Sequence, residues 1–89
     1  MTPEEIRAAI IEEIGNIAPE ADAVQLGDEE DLREALDLDS MDIFNLVVAL
    51  SQRLGVDIPD VDAAKLTTIG GGVDYLAGRL AEGPAKPPR

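Results

Sequence analysis

The apolar residues of this chain recur at intervals of three and four along most of its length. Such spacing places them on one face of an α-helix, whereas a half-buried strand would alternate apolar and polar residues. Two of the clearest stripes are Ile6, Ile10, Ile14 and Ile69, Val73, Leu76, Leu80. The pattern predicts an all-α fold, a small four-helix bundle of three longer helices and one short helix with a long first connection.

Local signals set the expected ends of the first two of these helices. Thr2 can cap the first helix and Pro3 suits its first position, while Gly15 is the expected stop. The most strongly patterned helix covers residues 40–54 and ends before Gly55.

The second half of the chain carries signals for two more helices. Pro59 opens a short helix over residues 60–65, and Thr68 caps the last helix. The first turn of that last helix contains Gly70–Gly72, and each glycine costs about 1 kcal/mol relative to alanine. We therefore expect this end of the helix to fray.

The connection over residues 16–39 is unusually long for a compact domain, which suggests hidden structure or a function. Residues 28–36 could form a short helix within it. Four leucines are expected to pin the connection to the core: Leu26, Leu32, Leu36 and Leu38.

The domain is expected to cover residues 1–82. Residues 83–89 are rich in glycine and proline, so they are predicted to form a flexible tail.

Negative charge is concentrated in one part of the chain. Of its 19 acidic and 7 basic residues, twelve acids and a single base, Arg33, lie within residues 12–42, which therefore sum to −11 of the net −12. This charge disfavours nucleic acid and anionic membranes as partners and favours basic proteins. The acidic region is either a solubilising face or a docking surface, and its localisation favours docking.

Two residue types are missing from the chain. There is no cysteine, which excludes disulfides and thiolate chemistry, and no histidine, the usual general base and metal ligand. No signal peptide or apolar membrane span is evident. We expect a cytoplasmic, soluble monomer that binds no metal and is poorly equipped to be an enzyme.

The 40–54 helix has two apolar faces. One carries a core stripe, and Met41, Phe44 and Val48 lie nearly opposite it, beside Asn45 and Gln52. Either the connection covers this second stripe or a partner does. The residues of the core stripe are Ile43, Leu46, Val47, Leu50 and Leu54.

Ser40 stands at the start of this helix, as an N-cap or first-turn residue. Neighbouring Asp37, Asp39 and Asp42 complement the helix dipole. A calcium loop beginning at Asp37 fails, because its sixth position is Asp42 and its twelfth is Val48. A serine hydrolase is disfavoured because no histidine base or Gly-x-Ser-x-Gly turn accompanies the serine.

The chain resembles the acyl carrier protein family. The resemblance covers residues 3–82 in order and spacing. It rests on Asp39-Ser40-Met41-Asp42 preceded by Leu36-Asp37-Leu38, and on residues 46–50, 56–59, 66–69 and 73–76.

The resemblance implies that Ser40 carries 4′-phosphopantetheine, transferred from coenzyme A by a phosphopantetheinyl transferase. The thiol of this arm would carry acyl groups as thioesters between the enzymes of fatty-acid, polyketide or related biosynthesis. Acyl-transferring and acyl-modifying partners with basic docking surfaces would contact residues around Ser40. These are Asp37, Asp39, Met41, Asp42, Phe44, Asn45 and Val48.

Two departures from the family pattern favour a specialised or auxiliary carrier. Where central fatty-acid carriers typically bear several glutamates on this helix, the chain has Asn45, Ser51 and Gln52, followed by Arg53. Many members also have glycine where this chain has Asp37. Two alternatives stay open: an aminoacyl carrier, and an unmodified acidic adaptor that binds a basic protein through the Met41, Phe44 and Val48 stripe.

Overall fold

A computed structural model describes residues 2–20 and 25–81. Within these ranges the chain is helical and contains no strand, which confirms the all-α prediction. The predicted tail at residues 83–89 lies outside the described residues, as does the domain boundary at residue 82. In chain order the elements are α1 (Pro3–Ile17), α2 (Leu32–Ala35), α3 (Ser40–Leu54), a 3₁₀ helix (Asp60–Leu66) and α4 (Ile69–Ala81).

Helix α1 begins as predicted but ends later. Its start is a capping box, in which the Thr2 hydroxyl accepts from the Glu5 amide at 3.1 Å and the Glu5 carboxylate accepts from the Thr2 amide at 2.7 Å. The predicted stop at Gly15 is wrong, since the helix continues to Ile17. Pro19 supplies the physical reason for the later end, because the residue before a proline is disfavoured in the helical region.

The long connection holds a shorter helix than the predicted 28–36. The Asp31 carboxylate accepts from the Arg33 amide at 2.8 Å and caps α2, so the helix begins only at Leu32. Before it, a turn is closed by hydrogen bonds between Gly27 and Glu30. The four leucines pack against the core as predicted: Leu32 and Leu38 are buried, and Leu26 and Leu36 are half-buried.

Helix α3 has the predicted bounds, and its ends explain them. Gly55 adopts the left-handed conformation, with φ 68°, and its amide donates to the Ser51 carbonyl. Helix α1 packs against α3 and α4, and the 3₁₀ helix packs against the same two helices. The largest fully buried side chains are Ile6, Ile10, Ile14, Leu32, Leu46, Leu50, Leu66, Ile69 and Leu76.

The predicted short helix is of the 3₁₀ type and extends one residue further, to Leu66. The close packing at its junction with α4 explains why one residue of Gly70–Gly72 is a glycine. A Cβ on Gly71 would lie 2.8 Å from the Lys65 carbonyl oxygen, closer than side chains come, and the Gly71 amide donates to the Thr68 hydroxyl at 3.0 Å. Glycine is therefore needed for close packing here, while the predicted fraying stays a prediction.

Candidate functional site

Ser40 is the first residue of α3, and its side chain is exposed. The N-cap is the preceding residue, Asp39, whose carboxylate accepts from the Asp42 amide at 2.9 Å. The Asp42 carboxylate accepts in return from the Asp39 amide at 3.3 Å, which completes a capping box. Because an aspartate performs the capping, the Ser40 hydroxyl is left for other chemistry.

The residues just before Ser40 are fixed to the core. Leu38 is buried, and its amide donates to the Arg33 carbonyl at 3.1 Å. Ile43, one turn into α3, belongs to the same core cluster, as in the hydrophobic staple that sets a helix's entry angle. This anchoring holds the start of α3 at the surface with Ser40 facing solvent.

Asp37 has a positive φ of 56°, which makes it the one non-glycine residue in that region among the described residues. An aspartate tolerates the left-handed conformation better than most residues, but glycine would adopt it without a Cβ penalty. Asp37 therefore has a backbone conformation that glycine adopts more readily than aspartate. Many members of the resembled family have glycine here, and the positive φ of Asp37 explains why the difference matters. The sequence alone does not reveal this backbone conformation.

A groove of about 350 Å³ opens beside Ser40, between α3 and the 3₁₀ helix. The Ser40 side chain lies at this groove, whose lining is mainly apolar with one cation, Arg33, and one carboxylate, Asp60. Its complete lining is Arg33, Ser40, Ile43, Phe44, Val47, Asp60, Ala63, Ala64 and Thr67.

The outer strip consists of Met41, Phe44 and Val48, and it faces solvent. The exposed fractions of the three residues are 63%, 49% and 37%, whereas the core stripe on the opposite side of α3 is buried or half-buried. Of the two possibilities that the sequence left open, the structure therefore shows a strip that the described part of the connection does not cover.

The polar residues predicted around the strip differ in their surroundings. Asn45 is exposed, and so are Asp37 and Asp39. Asp42 is half-buried, and in the capping box one oxygen of Asp39 and one of Asp42 are engaged. Each of these two carboxylates keeps a second oxygen for other contacts.

Arg53, which follows the neutral residues of α3, points to a different part of the molecule. Its guanidinium pairs with Glu12 at 2.6 Å and with Glu13 at 3.0 Å, so it joins α3 to α1. The Arg53 guanidinium therefore forms an interhelical ion pair and does not add positive charge to the outer strip.

Five residues that line the groove were not predicted as core or site residues: Arg33, Asp60, Ala63, Ala64 and Thr67. A signal existed for Arg33, because it is the single base within residues 12–42. Small alanines facing a neighbouring helix are a weaker signal, and only the packing of the 3₁₀ helix on α3 reveals their place.

The far side of the 3₁₀ helix is tied to α4 by a polar contact. The Tyr75 hydroxyl donates to the Asp62 carboxylate at 2.6 Å, with Lys65 5.4 Å from the centre of the ring. Burial, helped by this hydrogen bond, raises the pKa of Tyr75 to about 12. The same hydrogen bond lowers the pKa of Asp62.

Two further features are absent from residues 2–20 and 25–81. No helix there is both long and apolar enough to cross a membrane. That part of the chain also contains no cluster of three or more acidic side chains placed to hold a metal ion.

Comparison with known proteins gives a consistent picture. Residues 4–76 match the family described as "Phosphopantetheine attachment site". The chain is 37% identical over 73 residues to an acyl carrier protein of Helicobacter pylori, covering 82% of this chain and 87% of that protein. An acyl carrier protein of Campylobacter hominis is 38% identical, with 82% and 86% covered.

A solved structure of an acyl carrier protein from Enterococcus faecalis superposes on the chain with a TM-score of 0.75. The two sequences are 32% identical, and the match covers 89% of this chain and 99% of that one.

Proposed function

The chain belongs to the acyl carrier protein family, which carries a covalently attached phosphopantetheine, and on that premise we propose that Ser40 is the attachment residue. The observation that carries the proposal is the placement of Ser40. Its side chain is exposed at the first position of α3, while Asp39 does the capping. A transferase can therefore reach the hydroxyl without unwinding the helix.

The residues around Ser40 fit the group chemically. The Ser40 hydroxyl would lose its proton and its oxygen would bond to the phosphorus that bears the pantetheine in coenzyme A, while the pyrophosphate P–O bond breaks and adenosine 3′,5′-bisphosphate leaves. The product is a phosphodiester, and an exposed position lets the tether leave the surface. The amides of the first turn of α3 favour a negative phosphate. The groove beside Ser40, lined by Ile43, Val47 and Ala63, offers apolar surface to an arm or to its cargo.

The arm would supply a thiol that forms thioesters, which a chain without cysteine cannot do itself. On this proposal the chain is a carrier and not an enzyme, and its contribution is to raise the effective concentration of the acyl group at each partner. The cargo is an acyl group in fatty-acid, polyketide or related biosynthesis.

The outer strip is the proposed contact for the transferase and for acyl-transferring and acyl-modifying enzymes. Its exposure in an otherwise well-packed helix supports this role. The acids at the N-terminal end of α3, Asp37, Asp39 and Asp42, would face basic groups of the partner, and Asn45 would lie at the edge of the contact. The neutral residues on this face favour a specialised carrier.

The same exposed strip also supports the second candidate, an unmodified adaptor that binds a basic protein. The two functions differ in one covalent bond at Ser40. They are therefore distinguished by the mass of the protein and not by its binding.

The test is to express the chain with a phosphopantetheinyl transferase and coenzyme A and to measure the intact mass. We expect a gain of one phosphopantetheinyl group that disappears in Ser40→Ala. The matched control is Ser51→Ala, because Ser51 is half-buried and its hydroxyl donates to the Val56 carbonyl at 2.6 Å. This variant should keep the gain.

Two results would contradict the proposal. A mass gain that persists in Ser40→Ala would place the arm on another residue. An unchanged mass of the folded wild-type protein with several transferases would favour the adaptor.

A further inference from the structure

Arg33 is the one basic residue lining the groove beside Ser40. Its position is fixed through the backbone, because the Arg33 carbonyl accepts from the Leu38 amide at 3.1 Å. The preceding residue, Leu32, is fully buried, and its amide donates to the Thr67 carbonyl at 2.7 Å. The backbone of Arg33 is thus fixed beside the segment that leads to Ser40, and both residues line the same groove.

The contact of Arg33 with Asp31 engages only some of the N–H donors of the guanidinium. Its Nε and Nη2 donate to the Asp31 carboxylate at 3.4 and 3.3 Å, which are long for a charged pair. The Arg33 side chain is 53% exposed. A guanidinium has five N–H donors in a planar fork, so donors remain for a second acceptor.

A phosphate on Ser40 would enter a strongly negative neighbourhood. The carboxylates of Asp37, Asp39 and Asp42 surround the start of α3, and residues 12–42 sum to −11. Arg33 is the only base in that stretch. An additional negative group there is repelled by these carboxylates, and Arg33 is the positive side chain in this stretch that can offset part of the repulsion, beside the amides of the first turn of α3.

Resting on the proposed attachment at Ser40, we propose that Arg33 pairs with the phosphate of the arm and holds the arm's first atoms against the groove. Arginine suits this role because its fork matches two phosphate oxygens at once. The contact with Asp31 would weaken or be shared when the phosphate is present. Arg33 is a positioning residue on this account, since the bond to the arm is made by Ser40 alone.

The experiment compares unmodified and fully modified protein for the wild type, Arg33→Gln, Arg33→Lys and the control Arg7→Gln. Arg7 is a fair control because it also pairs with one exposed aspartate, Asp28 at 2.8 Å, but it lies on α1 and lines no part of the groove. The readouts are the ³¹P resonance of the phosphodiester, the Arg33 Nε resonance and the melting temperature.

In the wild type we expect the Arg33 Nε resonance to shift on modification. The ³¹P resonance should differ between wild type and Arg33→Gln and should be unchanged in Arg7→Gln. Modification should lower the melting temperature of Arg33→Gln by about 2–5 °C more than that of the wild type, as expected for an exposed charged pair in a small domain. Arg33→Lys should fall between the two, because it keeps the charge and loses the fork.

The outcomes separate this proposal from the one on which it rests. Complete modification by mass, with identical ³¹P and melting responses in wild type and Arg33→Gln, overturns the role of Arg33 and leaves Ser40 as the attachment residue. Absence of any mass gain in the wild type overturns both.

Discussion

The two walls of the groove beside Ser40 are held in place by different kinds of contact. Helix α3 buries four aliphatic side chains, has a capping box at its start and ends in a left-handed glycine. The 3₁₀ helix buries one, Leu66, and has no side-chain cap within the described residues. A polar tie, the hydrogen bond from Tyr75 to Asp62, connects it to α4.

The difference indicates that one wall is fixed and the other is adaptable. Apolar burial of several side chains makes the position of α3 inseparable from the fold, because moving it opens the core. A short helix with one buried residue and a polar tie can shift at much smaller cost. On the proposed attachment at Ser40, the fixed wall would keep the attachment point in place while the groove widens.

The largest expected change in the free energy of unfolding comes from a substitution in α3, the fixed wall. Leu50 is fully buried on the inner side of α3, so Leu50→Ala should lower the free energy of unfolding by about 2–5 kcal/mol. Denaturant unfolding followed by circular dichroism measures it. The control is Val48→Ala on the exposed side of the same helix, for which we expect less than about 0.5 kcal/mol. Similar losses in both variants would mean that the two faces of α3 are not distinct.

A smaller effect is expected on the adaptable wall. Tyr75→Phe removes the hydrogen bond to Asp62 and should cost about 0.5–1.5 kcal/mol. The measurement is again denaturant unfolding, at neutral pH. A loss as large as that of Leu50→Ala would show that the 3₁₀ helix is no more adaptable than α3.

Tyr75 should also make the free energy of unfolding depend on pH in alkaline solution. Because the pKa of Tyr75 is raised from 10 to about 12 in the folded state, folded protein keeps a proton that unfolded protein has lost between these values. The stabilisation is complete below pH 10 and declines as the pH rises towards 12. The wild type should therefore lose stability over this range more steeply than Tyr75→Phe, and equal slopes would contradict the contact.

The smallest effect on stability is expected on the outer strip. Phe44→Glu should lower the free energy of unfolding by less than about 1 kcal/mol, since the side chain is half exposed and loses only its contact with the groove. It should lower kcat/KM for modification by a transferase about tenfold or more, because a charge replaces an apolar contact. Ala8→Glu adds the same charge at an exposed site on α1 and should leave the rate unchanged. If Phe44→Glu unfolds the domain, the strip belongs to the core.

Much of this arrangement could be predicted from local sequence. The start of α3 follows from the acids and serine over residues 39–42, with Asp39 as the cap, and its end follows from Gly55. The start of α1 follows from Thr2 and Pro3, because caps and breakers act within one turn. The stop at Gly15 was wrong because a glycine in a helix can remain helical, whereas Pro19 restricts its neighbour sterically. The helix at residues 28–36 was too long because the cap at Asp31 decides where it begins.

What the sequence determined by itself is the set of helices, the segregation of acids before Ser40 and the presence of two apolar stripes on one helix, since periodicity, charge and capping are local properties. The packing of the helices determines which stripe is covered. It also sets the positive φ of Asp37 and brings Arg33 and Ser40 to one groove. These depend on residues far apart in the chain, such as Leu32 and Thr67, whose contact forms only when the helices pack.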